Sequence, residues 1–226
     1  GSKGFDGKII VPFAPESKLS GVGHTDFIGR IWYQRTIDIP ADWSGRNVML
    51  NFGAVYYTSE VYVDGRFVGR HFGGSTSFSY DITAFVKPGG SHSLVVFATS
   101  DLRSGKQTAG KQSLQYASHS CDYTRTTGIW QTVWLESVPD IYIEKLNIEN
   151  HGASVTISTV PPLEGTVSVE QLGQFPLEHG QVTIAPENPH FWCPDDPYLY
   201  RFTVETAQDK VESYFAIRSL EIKKVG

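Results

Sequence analysis

From Arg30 onward, bulky apolar and polar residues alternate in short runs, the period-two signature of half-buried strands. "IWYQRTIDIP" (31–40) alternates up to Pro40, and "RNVMLNFGAV" (46–55) follows it. "TSEVYVDGRFVGRHF" (58–72) carries the pattern on both sides of Asp64-Gly65, a dipeptide that tolerates positive φ and predicts a two-residue hairpin. "TSFSYDITAFV" (76–86) ends in the turn Lys87-Pro88-Gly89-Gly90, and "HSLVVFATS" (92–100) reads as a buried strand. The pattern then lapses from Asp101 to Ser120. A structureless stretch of that size inside a compact domain is functional or mobile. It runs into "CDYTRTTGIWQTVWLE" (121–136), where Gly128 introduces a strand of alternating bulky groups that closes near Val138.

Pro139 marks the boundary, so a first domain is expected over 1–138 and a second over 139–226. In the second, "IYIEKLNI" (141–148), "ASVTISTV" (153–160), "GTVSVEQL" (165–172), "GQVTIAP" (180–186), "YLYRFTVETA" (198–207) and "VESYFAIRSLEI" (211–222) recur at the spacing of a small sandwich. No amphipathic helix of ten or more residues is legible, which excludes a βα barrel within these residues. The expected class is all-β.

Composition agrees with that class. The 226 residues are 40 % hydrophobic and 13 % aromatic, with 22 Gly and 12 Pro, a mixture suited to strands joined by tight turns. A net charge of −5 without any Lys/Arg run speaks against nucleic acid or an anionic membrane surface as partner. No apolar run approaches the roughly 20 residues of a spanning helix. Cys121 and Cys193 fall in different expected domains and lack zinc-ligand spacing, so both are expected as free thiols. Gly1-Ser2 reads as a cloning remnant; periplasmic, secreted and cytoplasmic locations all stay open, although no N-x-Ser/Thr acceptor favours glycosylation.

Three local patterns invite chemistry. "GKQTAGKQ" (105–112) approaches a phosphate-binding loop, but Gln112 stands where a magnesium-binding hydroxyl is needed and no helix follows, leaving a flexible polar loop. His119, Cys121 and Asp122 are close in sequence, yet neighbouring donors alone do not define a metal site, and no metal or other cofactor is expected. No G-x-S-x-G elbow supports a serine hydrolase. The aromatics of the first domain, from Trp32 and Tyr33 to Trp130 and Trp134, are expected mainly in core and sheet faces, although aromatic faces beside a polar loop also suit sugar rings.

The first domain resembles the N-terminal sugar-binding jelly-roll domain of glycoside hydrolase family 2, the β-galactosidase, β-glucuronidase and β-mannosidase group. The resemblance rests on Trp32-Tyr33-x-Arg35, Ile39-Pro40 before Trp43, Val61-Tyr62-Val63-Asp64-Gly65, Gly73-Gly74, Phe78 before Asp81-Ile82-Thr83, and Gly128-Ile129-Trp130 with Val133-Trp134-Leu135. "ENPHFWCPDDPYLYRFTVE" (187–205) is similar to the end of the family's immunoglobulin-like second domain, and "AIRSLEIKKVG" (216–226) to the lead-in of its catalytic barrel. The resemblance implies a jelly-roll sandwich followed by an immunoglobulin-like sandwich.

It also implies a function by subtraction. The family's retaining mechanism needs an acid/base carboxyl and a nucleophilic carboxylate about 5 Å apart. Its acid/base glutamate follows an asparagine, and no Asn-Glu pair occurs in these residues. The chain is therefore expected to be a non-catalytic N-terminal portion of a β-glycosidase, β-galactosidase-like and inactive alone. It would bind carbohydrate, buttress the catalytic barrel of the same polypeptide and supply contacts to a homo-oligomer. The alternative is an autonomous carbohydrate-binding module. Asp122, six positions before Gly128, matches an acidic position that holds a substrate hydroxyl in β-glucuronidase-like members; Asp101 resembles one that serves so in β-galactosidase-like members. Both are expected to bind substrate, against the plainer reading that Asp122 pairs with Arg125 to pin the loop. No catalytic residue and no metal ligand is expected.

Overall fold

The computed structural model describes residue 5, residues 7–220 and residue 222. The Gly1-Ser2 pair expected as a cloning remnant, and residues 221 and 223–226 of the expected barrel lead-in, lie outside the described residues. Contacts divide the chain into two units, Gly1–Ser137 and Val138–Gly226.

In the first unit the strands are β1 (Arg30–Asp38), β2 (Asn47–Phe52), β3 (Val55–Tyr56), β4 (Thr58–Val63), β5 (Arg66–Phe72), β6 (Phe78–Asp81), β7 (Ser91–Thr99), β8 (Gly128–Ile129) and β9 (Val133–Val138). One sheet has the order β1-β7-β4-β5 and a second β6-β2-β9, with β3 and β8 as a separate pair. Alternation decides which side chains lie between the layers: Leu94, Val96 and Ala98 of β7 meet Tyr33 and Ile37 of β1 and Val61 and Val63 of β4 around fully buried Phe52. The opposite face of that sheet carries Trp32 stacked on Phe97 at 4.2 Å, as their direct pairing requires. This is the expected jelly-roll sandwich.

Asp64 and Gly65 take φ of 49° and 76°, joining β4 to β5 by the hairpin their identities predict. Asp81 caps the turn after β6: its Oδ1 accepts from the Thr83 amide at 2.9 Å, while Thr83 Oγ1 accepts from the Val48 amide at 2.8 Å. The expected strand beyond Gly128 is a correction. It is broken after Ile129, so that β8 pairs with β3 and β9 with β2, because the Gly53 amide donates to the Thr132 carbonyl at 2.8 Å and turns the chain from one pairing to the other. Trp130 stands in the break and donates from Nε1 to the Gly74 carbonyl at 2.8 Å. Trp134 is 43 % exposed, so its ring lies on a sheet face and not in the core.

The second unit holds β10 (Lys145–Asn150), β11 (Val155–Val160), β12 (Gly165–Val169), β13 (Gly173–Leu177), β14 (Gln181–Ile184), β15 (Tyr200–Thr206) and β16 (Lys210–Phe215). They form sheets of order β10-β11-β14 and β13-β12-β15-β16, the three-plus-four arrangement of an immunoglobulin-like sandwich. Val155, Ile157, Val167, Phe202, Val204 and Phe215 fill it. Two readings shift: the first strand starts at Lys145 and not at Ile141, and β13 was not anticipated. Pro176 obscures β13, which is tolerated because β13 lies at a sheet edge. The helices in the described residues are single 3-10 turns of three residues.

Candidate functional site

At one end of the β1-β7-β4-β5 sheet, where the chain enters β1 and β4 and leaves β5 and β7, the first unit has a cavity of about 790 Å³. Phe27 and Arg30 line it from the approach to β1, Tyr57 from the β3–β4 junction, Phe72 from the end of β5, and residues 99–104, 106 and 107 from the end of β7 onward. The loop that the sequence left without periodicity closes the rest through Gln112, Arg125 and Thr127.

That loop is built around buried polar groups. Arg125 is 4 % exposed. Its Nη1 donates to the carbonyls of Ser113, at 3.1 Å, and Gln115; its Nη2 donates to those of Tyr116, at 3.0 Å, and Thr25. A planar guanidinium can reach four carbonyls at once because its N–H groups are fixed in a fork. Its carbon also lies 4.1 Å from the Phe27 ring centroid, with that of Arg103 at 4.0 Å. Fully buried Ser113 donates to the Ala117 carbonyl at 2.8 Å, and buried Gln112 accepts from the Thr126 amide at 2.8 Å. Within 105–112, the Thr108 carbonyl accepts from the Tyr56 hydroxyl, Gln107 donates to Ser100 Oγ and Gln112 donates to the Ala109 carbonyl, so the polar loop is tied by internal donors and acceptors.

The structure places the two candidate carboxylates differently. Asp101 lines the cavity, exposed, and its carboxylate has no hydrogen bond or ion pair among the described residues; its amide donates to Gln107 Oε1 at 2.9 Å. Asp122 is outside the cavity lining, at a tight turn where the amides and carbonyls of His119 and Asp122 pair reciprocally. The His119 ring is 3.8 Å from the Asp122 carboxylate and the Cys121 sulfur 3.9 Å, contacts that leave most of its accepting capacity free. Asp122 does not pair with Arg125, which is saturated by carbonyls on its outer nitrogens. Both cysteines are free and exposed. Among the described residues no group of three His, Cys, Asp or Glu could hold a metal ion.

Glu16 anchors the loop from the N-terminal side, its Oε2 accepting from the Thr127 amide at 3.2 Å while Oε1 is buried without a partner. Burial pushes its carboxyl above the ordinary range, outweighing the hydrogen bonds and the Arg125 charge that pull it down. A carboxyl raised in the folded state binds its proton there more tightly than in the unfolded chain. Its contribution to stability therefore grows as pH falls through the raised value toward about 4.3, and is lost as pH rises. Glu16→Gln should gain on the wild type between pH 5 and pH 7.5 in urea unfolding. An identical difference at the two pH values would refute this.

Sequence reading missed the cavity's cations, Arg30, Arg103 and Lys106, and the role of Glu16. The available signal was local: Arg103, Lys106 and Lys111 crowd one polar stretch of a chain with net charge −5.

Comparison with known proteins gives two family matches in series. Residues 22–139 match "Glycosyl hydrolases family 2, sugar binding domain" and residues 140–218 match "Glycosyl hydrolases family 2". The chain is 27 % identical to a β-galactosidase of Thermoanaerobacter pseudethanolicus, over 86 % of its own length and 29 % of that protein. It is 26 % identical to a β-glucuronidase of Paenibacillus borealis, over 80 % and 34 % respectively. The solved Faecalibacterium prausnitzii β-glucuronidase superposes with a TM-score of 0.72 at 25 % identity, covering 95 % of this chain and 42 % of that one. The chain thus spans about a third of the curated relatives it matches.

Proposed function

The chain belongs to glycoside hydrolase family 2, and from that membership we propose that it is the non-catalytic N-terminal portion of a β-glycosidase, with a sugar-binding jelly-roll domain over 1–138 and an immunoglobulin-like domain over 139–226. The observation that carries the reading is the succession of two family 2 domains on a chain a third as long as its relatives. In the whole polypeptide these domains buttress a catalytic barrel, contribute to oligomer contacts and lend polar loop groups to the substrate. An ionised carboxylate accepts hydrogen bonds from neighbouring sugar hydroxyls, and such charge-assisted bonds are the stronger kind. Asp122 and Asp101, free of strong partners, are the groups assigned to that contact.

In the barrel-containing polypeptide, Asp122→Asn should lower kcat/KM on aryl β-glycosides 10- to 150-fold, the equivalent of about 1.5–3 kcal/mol. Asp101→Asn should act in the same direction. Wild-type kinetics for both variants would remove the loop from the substrate site. The finer expectation of a galactoside substrate stands beside relatives named β-glucuronidase, and parallel assays on aryl β-galactoside and β-glucuronide decide between them.

A further inference from the structure

We propose that the cavity beside Asp101 binds an acidic saccharide, one that carries a carboxylate or a sulfate ester, through Arg30, Arg103 and Lys106. This deepens the reading of the first unit as a sugar-binding domain and rests on it. The cavity falls within the 300–1,000 Å³ range of small-ligand sites, at about 790 Å³. The residues that line it include four cationic ones, Arg30, Arg103, Lys106 and Arg125, against the single acidic Asp101, in a chain whose net charge is −5. Such a concentration of one sign in a concave site draws the opposite charge.

The cations are available. The side chains of Arg30 and Lys106 have no hydrogen bond or ion pair among the described residues and stand exposed at the cavity. Arg103 is oriented by stacking on Phe27, which occupies the face of its guanidinium and leaves its N–H edge for an oxyanion. Deeper in the wall, Arg125 keeps a buried Nε without any partner. An unpaired buried N–H costs free energy until an acceptor reaches it. That nitrogen is closed to solvent in this structure, so the ligand's anion is met by Arg30, Arg103 and Lys106.

Asp101 decides between a saccharide and a bare anion. Its unpaired carboxylate repels inorganic sulfate or phosphate but accepts hydroxyl donors, so the best ligand brings hydroxyls and an anion on one frame. Tyr57 and Phe72, the latter 62 % exposed, give the apolar ring faces that sugar C–H groups need.

The test is titration of the 226-residue chain, followed by NMR shifts, with methyl β-D-glucuronide, D-galactose 6-sulfate, methyl β-D-glucoside and inorganic sulfate. At least one acidic sugar should bind ten-fold or more tightly than the neutral glucoside, and which one identifies the anion. Arg30→Gln with Lys106→Gln should abolish that preference, and Asp101→Asn should weaken acidic sugars while strengthening inorganic sulfate. Equal binding of neutral and acidic sugars, sulfate ion binding as tightly as the sugars, or no binding at all overturns the proposal. These results leave the kinetics of Asp122→Asn in the longer polypeptide untouched, so failure here and failure of the functional assignment are separately visible.

Discussion

Arg125→Met should destabilise the first unit by about 2–4 kcal/mol, the scale of losing hydrogen bonds to a charged group at about 1.5–3 kcal/mol each where water partly replaces them. Methionine nearly matches the length of the arginine stem but leaves the Ser113, Gln115, Tyr116 and Thr25 carbonyls without their donor. The abandoned Ser113 carbonyl is buried and costs on the order of 1–3 kcal/mol, while those of Thr25, Gln115 and Tyr116, on exposed residues, cost less because water can reach them. Arg125→Lys keeps the charge but offers a compact ammonium that cannot span four acceptors, and it should fall between the two. Urea unfolding followed by tryptophan fluorescence reads the effect, since Trp32, Trp43, Trp130 and Trp134 belong to the first unit and Trp192 to the second. Cleavage within residues 103–120 by added protease should rise in parallel. A loss under 1 kcal/mol with unchanged proteolysis would show that the carbonyls are satisfied without the guanidinium. Glu16→Gln introduced into the Arg125→Met variant should recover part of the loss, because it removes the carboxylate that the arginine's charge helps to keep ionised.

The second large effect is expected at Gly128. Its φ is +69°, and a Cβ built there would lie 2.1 Å from the Tyr33 hydroxyl oxygen. Tyr33 is buried in the core and its hydroxyl accepts the Ile129 amide at 3.1 Å, so the ring cannot withdraw without giving up that bond. Burial also drives the phenol's ionisation upward, so the hydroxyl stays neutral through ordinary pH. Gly128→Ala combines a left-handed backbone penalty of about 1–2 kcal/mol with about 1–3 kcal/mol of overpacking. A total near 2–5 kcal/mol should appear in the same urea experiment. Tyr33→Phe in the alanine background clears the 2.1 Å clash but removes the acceptor of the Ile129 amide and leaves contacts at 3.0 Å, so it should recover only part of the overpacking share. If the alanine variant is as stable as the wild type, the close approach of β8 to Tyr33 is wrong.

Gly128 was legible as the hinge of its motif, while the reason for it was not. The motif shows a glycine before two tryptophans; the Tyr33 hydroxyl that forbids any side chain there lies 95 residues away. The Asp64-Gly65 hairpin and the alternation of β7 could be read directly, because turn chemistry and period-two burial are local. The break between β8 and β9 could not, since it depends on Gly53, at the end of β2, recruiting the Thr132 carbonyl at the start of β9, a sheet neighbour distant in sequence. Strand β13 escaped because Pro176 signals against a strand unless the edge position is already known. The candidate site divides in the same way. Asp101 and Asp122 were visible as acidic residues flanking a polar segment. The cavity itself, however, is assembled from segments near residues 27, 57, 72, 100 and 125. Arg125 reads in sequence as a local loop residue, although one of its acceptors is 100 positions earlier.

Those long reaches set an order of events during folding. The sandwich can start from the β4–β5 hairpin, whose partners are adjacent in the chain, and grow by pairings of intermediate reach such as β4–β7, whereas the Thr25–Arg125 and Glu16–Thr127 bonds close loops of 100 and 111 residues. Loop-closure entropy delays contacts of that separation until neighbouring elements have brought their ends together. On that ground the cavity is expected to close after the rate-limiting step, once the core strands have paired. Interactions made after the transition state slow unfolding and leave the folding rate nearly unchanged. Whatever occupies the cavity would lengthen the lifetime of the folded unit without hastening its arrival.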